Sequence, residues 1–268
     1  MGEADVIDHV DEPVTMAQIT EALGDLGVAE GDLLLVHSSL SEIGWVSGGA
    51  QAVVEALLEA VGTSGTLVMP AHTGQYTDPA DWEHPPIPED WVETVRETRP
   101  PFDPERTPTR GLGRIAETFR TYPGVTRSDH PLYSVAVRGP AAERIAGSHP
   151  LDYGLGPDSP MGRIYDRGGR ILLLGAGHGT NTSLHLAEHL ADVESAEMTR
   201  RAPIRRQGER VEVEYRDIEL DVDDFDSLGA DFEADGGGVC GSVAEAETKL
   251  LDQRTLVDYA VEWFEQHR

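Results

Sequence analysis

The chain is poor in cysteine and in lysine: of 268 residues, Cys240 is the only cysteine and Lys249 the only lysine. A single cysteine excludes an intrachain disulfide and a thiolate metal cage. It sits in "GGGVCGS" with no histidine close in sequence, which reads as a small packed residue rather than a nucleophile. Basic residues number 21 against 49 acidic ones, for a formal charge of −28. A surface so short of cations offers phosphates no basic stripe, so nucleic acid is not an expected partner. Apolar runs such as "LLLV" and "ILLLGAG" fall far short of the roughly 20 residues that span a bilayer. The opening "MGEADVIDHVDEP" is acidic and lacks an apolar centre, so it is not read as a secretory signal. A cytoplasmic protein that neither spans nor binds a membrane is expected. No G-x-G-x-x-G fingerprint follows the first strand and no G-x-x-x-x-G-K-[ST] loop occurs, which leaves Rossmann dinucleotide and P-loop readings unsupported. No internal repeat is visible.

What is present is a globular composition, with 39% hydrophobic residues spread along a chain long enough to bury a substantial core. The carboxylate excess reads as adaptation to high salt, where repulsion is screened and a hydrated surface stays soluble. An acidic field also attracts cationic ligands, and the two readings are compatible.

Periodicity gives a coarse map. Residues 15 to 29 form an amphipathic helix entered at Thr15, with Ile19, Leu23 and Leu26 on one face. "DLLLVHSSL" is a buried strand, "GGAQAVVEALLEAVG" a helix opened and closed by glycine, and "GTLVMPAH" a second buried strand. That order predicts a βαβ unit with a parallel pair. Residues 73 to 109 are rich in Pro, Asp and Glu, and form an irregular insertion that is either functional or a surface excursion. Further helices and strands follow, including "DHPLYSVAVRGP" and "RILLLGAG" as strands and a hairpin turning at Gln207-Gly208. The final 27 residues contain a long amphipathic helix ending at Phe264. The expected fold class is α/β: a mixed, largely parallel sheet with helices on both faces, plus an antiparallel β-hairpin.

The stretch "HLAEH" has the H-x-x-E-H spacing of an inverted zinc-peptidase motif. On a helix, His185, Glu188 and His189 share one face. One reading is a zinc hydrolase with His185 and His189 as ligands and Glu245 or Glu247 as the third. Another is a metal-free general base. His185 follows a buried strand and a Gly-rich turn, the edge at which open α/β sheets bind ligands, and Glu188 can orient or support its imidazolium. The bland alternative is a surface pair worth a few tenths of a kcal/mol.

Two further segments end on strands. In "VHSSLSEIGWVSGG", His37, Ser38 and Ser39 lie at a strand's end and Gly48 and Gly49 open a helix. Hydroxyls beside free backbone N–H groups make a corner for a phosphorylated ligand, coenzyme A among the possibilities. In "MPAHTG" and "SDHPLYS", His72, Thr73, Asp129, His130 and Ser134 recur at strand ends.

Taken together, "LLLVHSSLSEIGWVSGGAQAVVEALLEAVGTSGTLVMPAHTG", "DHPLYSVAVRGPAA", "DSPMGRIYDRGGRILLLGAG" and "TSLHLAEH" resemble, in order and spacing, the aminoglycoside N3-acetyltransferases. The likeness runs over about residues 13 to 266. It implies one acetyltransferase domain over 1–268 and transfer of acetyl from acetyl-CoA to a small-molecule amine, such as the 3-amino group of an aminoglycoside, without a metal. It implies His185 and Glu188 as catalytic residues on the family's T-x-L-H-x-A-E signature, with His189 outside it. His37, Ser38, Ser39, Gly48 and Gly49 match the coenzyme A segment, and Thr73 a position where a hydroxyl could donate to the oxyanion. Asp129 and His130, at the mouth of a strand, are the candidate substrate-binding residues. Cys240 matches no nucleophile position, so direct transfer is implied. A monomer or homodimer is expected, and antibiotic resistance follows if the acceptor is an aminoglycoside. Arg200, Arg201, Arg205 and Arg206 crowd the region after the helix, and would oppose a polycationic acceptor if they faced its cleft. A non-catalytic relative that only binds a ligand is the remaining alternative.

Overall fold

The computed structural model describes residues 7, 12–83 and 85–268. Most of the acidic opening segment lies outside them. Among the described residues no helix is long and apolar enough to cross a membrane.

Helix α1 (Met16–Leu26) begins at a capping box: the Gln18 side chain accepts from the Thr15 N–H at 2.8 Å while the Thr15 hydroxyl accepts from the Gln18 N–H. It buries Ile19, Leu23 and Leu26 and stops at Gly27, whose φ of 106° is left-handed. Strand β1 (Leu33–Ser38), helix α2 (Gly49–Val61) and strand β2 (Thr66–Pro70) then form the expected βαβ unit, with Leu33 opposite Thr66 in a parallel pair. Helices α3 (Val92–Thr98) and α4 (Gly113–Arg120) lead to the short strand β3 (Thr126–Arg127) and to β4 (Val135–Arg138). Helices α5 (Ala142–Ala146) and α6 (Pro160–Asp166) precede β5 (Arg170–Leu174), and α7 (Thr182–Leu190) follows it. The hairpin β6 (Glu197–Arg206) and β7 (Glu209–Ile218) comes next, then α8 (Phe225–Ala234), β8 (Val239–Val243), β9 (Ala246–Asp252) and α9 (Gln253–His267).

The main sheet is mixed, in the order β3-β4-β2-β1-β5-β9-β8. Parallel pairing is confined to its centre, where β2, β1 and β5 run together; the four outer pairings are antiparallel. Period-2 alternation splits the core between the two faces. Leu34, Val36, Leu172 and Leu174 pack under α1, α2 and α4, while Leu35, Ile171 and Leu173 pack under α6, α7 and α9. The helices on both faces follow from central strands that are apolar over most of their length.

The antiparallel β4 matters for function. Its first residue, Val135, pairs with Pro70 at the end of β2. The segment entering β4 therefore meets the ends of β1, β2 and β5 at one edge.

The hairpin β6–β7 forms its own sheet and turns through Gln207 and Gly208, both at positive φ. It supplies a third apolar cluster, in which Ala202, Val213 and Tyr215 pack with Tyr76 and Phe102 of the irregular segment. That segment is stitched to the hairpin by Phe102 N–H donating to Pro203 O at 2.8 Å. It holds α3 and single turns at Gly74–Tyr76, Pro79–Asp81 and Glu89–Trp91.

The edge hairpin β8–β9 was not expected. Cys240 lies on it, exposed rather than packed, opposite Lys249. The last helix also runs past Phe264 to His267.

Candidate active site

Three strand ends and one helix build the site. His37 projects from β1 opposite Leu173 of β5, on the sheet face that α7 covers, because it alternates with Leu35. His72 and Thr73 follow β2 directly. After β5 the chain makes a turn at His178–Thr180, and Asn181 caps α7 by accepting from the Ser183 N–H at 3.2 Å.

On α7, His185 Nδ1 lies 2.6 Å from Glu188 Oε2. The carboxylate is buried, and its other oxygen accepts from the Asp221 N–H at 2.9 Å and from Arg268 Nη1 at 2.7 Å. A carboxylate that two other donors hold can only accept, so in the neutral ring the proton sits on Nδ1 and Nε2 carries the lone pair. The His185 side chain is 15% exposed and rests against Phe225, with ring centroids 5.0 Å apart. One ring nitrogen of His185 is thus fixed by Glu188, and the other is not engaged by that contact.

His37 and His72 flank it. Burial first, then the neighbouring His185, lowers the His37 pKa to about 3. Burial, then His37 and His185, lowers that of His72 to about 3. Both rings are neutral at any physiological pH. The Nε2 atoms of both are buried and have no hydrogen-bond partner among the described residues. Orphaned buried polar atoms are rare and call for an explanation; here they belong to two rings that His185 influences electrostatically.

Ser38 ends β1 and Ser39 donates its N–H to Leu174 O at 2.9 Å, its hydroxyl 3.1 Å from that of Ser41. Gly48 and Gly49 open α2 at φ 92° and 58°, and a Cβ on Gly49 would meet nothing within 4 Å. Backbone N–H groups thus sit at the head of a helix with open space beside them, a setting that suits a phosphate.

Two expected roles do not fit the geometry. Thr73 is fully buried and its hydroxyl donates to the Pro131 carbonyl. Its single proton is already used, so the hydroxyl is not offered to an oxyanion. His130 is fully buried too: Nδ1 accepts from the N–H groups of Leu132 and Tyr133 at 3.1 and 2.9 Å, and Nε2 lies 3.2 Å from the Leu151 carbonyl. With both nitrogens committed and Tyr133 and His149 packed on its ring, it organises the entry to β4 rather than touching a substrate. Asp129 beside it is exposed.

The zinc alternative does not assemble. His189 turns away toward the hairpin, its Nε2 3.9 Å from Asp217 Oδ1. Glu245 and Glu247 sit on the edge hairpin, Glu247 paired with Lys249 at 3.2 Å. Among the described residues no three His, Cys, Asp or Glu side chains are placed to hold a metal ion.

Beside the pair, Glu188, His189, Asp152, Tyr153 and Asp158 line a cleft of about 450 Å³. None of Arg200, Arg201, Arg205 and Arg206 is among the residues that line it. Arg200 donates to Asp217 at 2.8 Å and Arg201 pairs with Glu214 at 2.5 Å.

Comparison with known proteins decides the family. The family model described as aminoglycoside 3-N-acetyltransferase matches residues 35–265. The chain belongs to the aminoglycoside 3-N-acetyltransferase family. It is 42% identical to the SPbeta prophage-derived aminoglycoside N(3')-acetyltransferase-like protein YokD of Bacillus subtilis (strain 168), over 97% of this chain and 95% of that one. The crystal structure of YokD superposes with a TM-score of 0.96 over 98% of each chain. Aminoglycoside N(3)-acetyltransferase IX of Micromonospora chalcea is 37% identical over 99% of this chain and 98% of its own. A binary complex of AAC-IIIb with CoASH, 31% identical, matches with a TM-score of 0.86 over 95% and 97%. Within this family, the sequence reading missed Arg268, the Asp221 N–H and Phe225 as members of the site. Nothing local signals them, because each reaches α7 from a distant element.

Proposed function

We propose that this family member transfers acetyl from acetyl-CoA directly to an amine, with His185 as general base, Glu188 as its support and an aminoglycoside 3-amino group as acceptor. The observation that carries this reading is the 2.6 Å contact between His185 Nδ1 and Glu188 Oε2, which leaves Nε2 basic at the sheet edge. An unprotonated amine attacks the thioester carbon and forms the C–N bond. His185 Nε2 takes the amine proton as the tetrahedral intermediate forms, the C–S bond breaks, and the proton passes to the departing thiolate. Glu188 offsets the positive charge on the ring.

Acetyl-CoA is a substrate here, and the residues at hand fit it: Ser38, Ser39, Gly48 and Gly49 would hold its phosphorylated part, and its thioester would lie toward His185. The oxyanion donor is assigned to His37 and His72, whose partnerless Nε2 atoms would donate in the Nε2–H tautomer, since Thr73 is committed elsewhere. Asp152 and Asp158 in the adjacent cleft suit a polycationic acceptor. The surface acidity is read as salt adaptation, the chain as one cytoplasmic acetyltransferase domain, and resistance to aminoglycosides as its biological consequence.

The test is amine-dependent thiol release from acetyl-CoA in high salt, with a panel of aminoglycosides and simple amines, alongside thermal shift with coenzyme A. Tight coenzyme A binding raises Tm by mass action. Turnover confined to simple amines would remove the aminoglycoside, and no shift at millimolar coenzyme A together with no turnover would remove the transferase reading.

A further inference from the structure

A histidine and a glutamate three positions apart on a helix are ordinarily a loose pair, because the glutamate side chain has several rotamers. Here the far oxygen of Glu188 is pinned. Arg268 Nη1 donates to Glu188 Oε1 at 2.7 Å. Its Nη2 donates to Asp224 Oδ1 at 2.6 Å and to the Asp221 carbonyl at 2.9 Å, and its Nε to Asp224 Oδ2 at 2.8 Å. All three guanidinium nitrogens are engaged, two of them on one carboxylate in a planar fork. The same Glu188 oxygen accepts from the Asp221 N–H, so one short loop anchors both the arginine and the glutamate.

Apolar packing fixes the arginine from below. Its guanidinium carbon lies 3.9 Å from the Phe264 ring centroid, Phe264 packs on Phe225, and Phe225 faces His185. Burial alone would lower the Arg268 pKa, but hydrogen bonds to Asp224 and Glu188 outweigh it and hold it above the ordinary value. The cation is permanent.

The geometry points to Arg268 as a positioning residue for proton transfer: it locks the Glu188 carboxylate in the orientation that presents Oε2 to His185 Nδ1, and compensates its charge. It rests on the assignment of His185 as the base. The guanidinium is spent on Glu188, Asp224 and the Asp221 carbonyl, and acts through Glu188. Without it, Glu188 is free to turn away from the ring, and when it does face the ring its uncompensated charge holds a proton there.

The experiment compares Arg268→Ala, Arg268→Lys and His185→Ala by steady-state kinetics across pH, with kcat and KM separated. Arg268→Ala is expected to lower kcat about 10- to 100-fold, as loss of a charged hydrogen bond does, with KM for acetyl-CoA near the parent value. The limb of the kcat profile that rises with pH should move to higher pH. Arg268→Lys, which keeps the charge and loses the fork, should recover part of the rate and return the limb toward its parent position. If His185→Ala abolishes turnover while Arg268→Ala keeps the parent kcat and pH profile, the clamp is overturned and the base assignment survives. If His185→Ala keeps turnover, the base assignment fails and the clamp with it. Should Arg268→Ala not fold, Arg268→Gln, neutral but able to donate, decides by the same two readouts.

Discussion

His185 and Glu188 face each other across 2.6 Å on one helix, and that contact determines which imidazole nitrogen is left to act. Replacing His185 by Ala should lower kcat by about 10²- to 10⁴-fold, the usual contribution of a general base. Glu188→Gln keeps the shape and removes the charge. Its loss should be about 10- to 100-fold, the equivalent of roughly 1.5–3 kcal/mol for a charged hydrogen bond. Steady-state rates of thiol release measure both, and a Glu188→Gln enzyme as slow as His185→Ala would mean that the carboxylate does more than support the ring.

Thr73 and His72 are neighbours with opposite fates. The Thr73 hydroxyl is spent on the Pro131 carbonyl, while Nε2 of His72 is orphaned. Thr73→Val should therefore cost stability, about 1–3 kcal/mol for an abandoned buried acceptor, and leave kcat near the parent value. His72→Phe should do the reverse, lowering kcat by up to about 10²-fold if it removes an oxyanion donor. Urea unfolding and kinetics on the two variants separate the cases; a slow, fully stable Thr73→Val enzyme would hand the oxyanion back to threonine.

Acid should destabilise the fold before it protonates the carboxylates. Burial lowers the His130 pKa to about 4, and His37 and His72 are lowered to about 3. These groups are neutral when folded and take up a proton near 6.5 when unfolded. The unfolded state thus binds more protons between those values, and stability falls as pH drops. The contribution is fully present above about pH 6.5, declines toward pH 4, and amounts to on the order of 3 kcal/mol for His130 alone. Urea midpoints at about pH 7.5 and 5 should differ in that direction; equal midpoints would show that these rings are hydrated in solution.

Arg127 ties the irregular segment to the sheet edge. It donates to Ala71 O at 2.6 Å, to Thr107 O at 2.5 Å and to Ser134 Oγ at 3.0 Å, and lies over the Phe102 ring at 5.1 Å. Burial lowers its pKa to about 10, still well above neutrality. Arg127→Ala should cost about 2–4 kcal/mol and open residues 73–109 to proteases first. Limited proteolysis followed by mass spectrometry reads this directly, and first cuts elsewhere would show that the segment is held without it.

The outcome for each element follows from the range of the interaction that makes it. The helix entered at Thr15 was legible because capping is local, and the central strands were legible because strands buried on both faces are apolar over most of their length. The Gln207-Gly208 turn was legible because a two-residue hairpin needs positive φ at both positions. The β8–β9 hairpin was not. Its outer strand, β8, is the sheet edge and is exposed from Val239 through Ser242, so no alternation marked it. Thr73 and His130 were read as functional because they stand at strand ends. Only the three-dimensional neighbours show that their polar atoms are already taken, by Pro131 for one and by Leu132, Tyr133 and Leu151 for the other.

By itself the sequence determined that His185 and Glu188 share a helix face beyond a buried strand, since helical pitch and apolar runs are written residue by residue. Only the tertiary structure decided what that pair can do. The partners of Glu188 arrive from the loop at Asp221 and from Arg268 just past the last helix, and His189 is turned to Asp217 on the hairpin. Hydrogen bonds of that kind depend on which distant elements the core packs together, and no spacing along the chain encodes them.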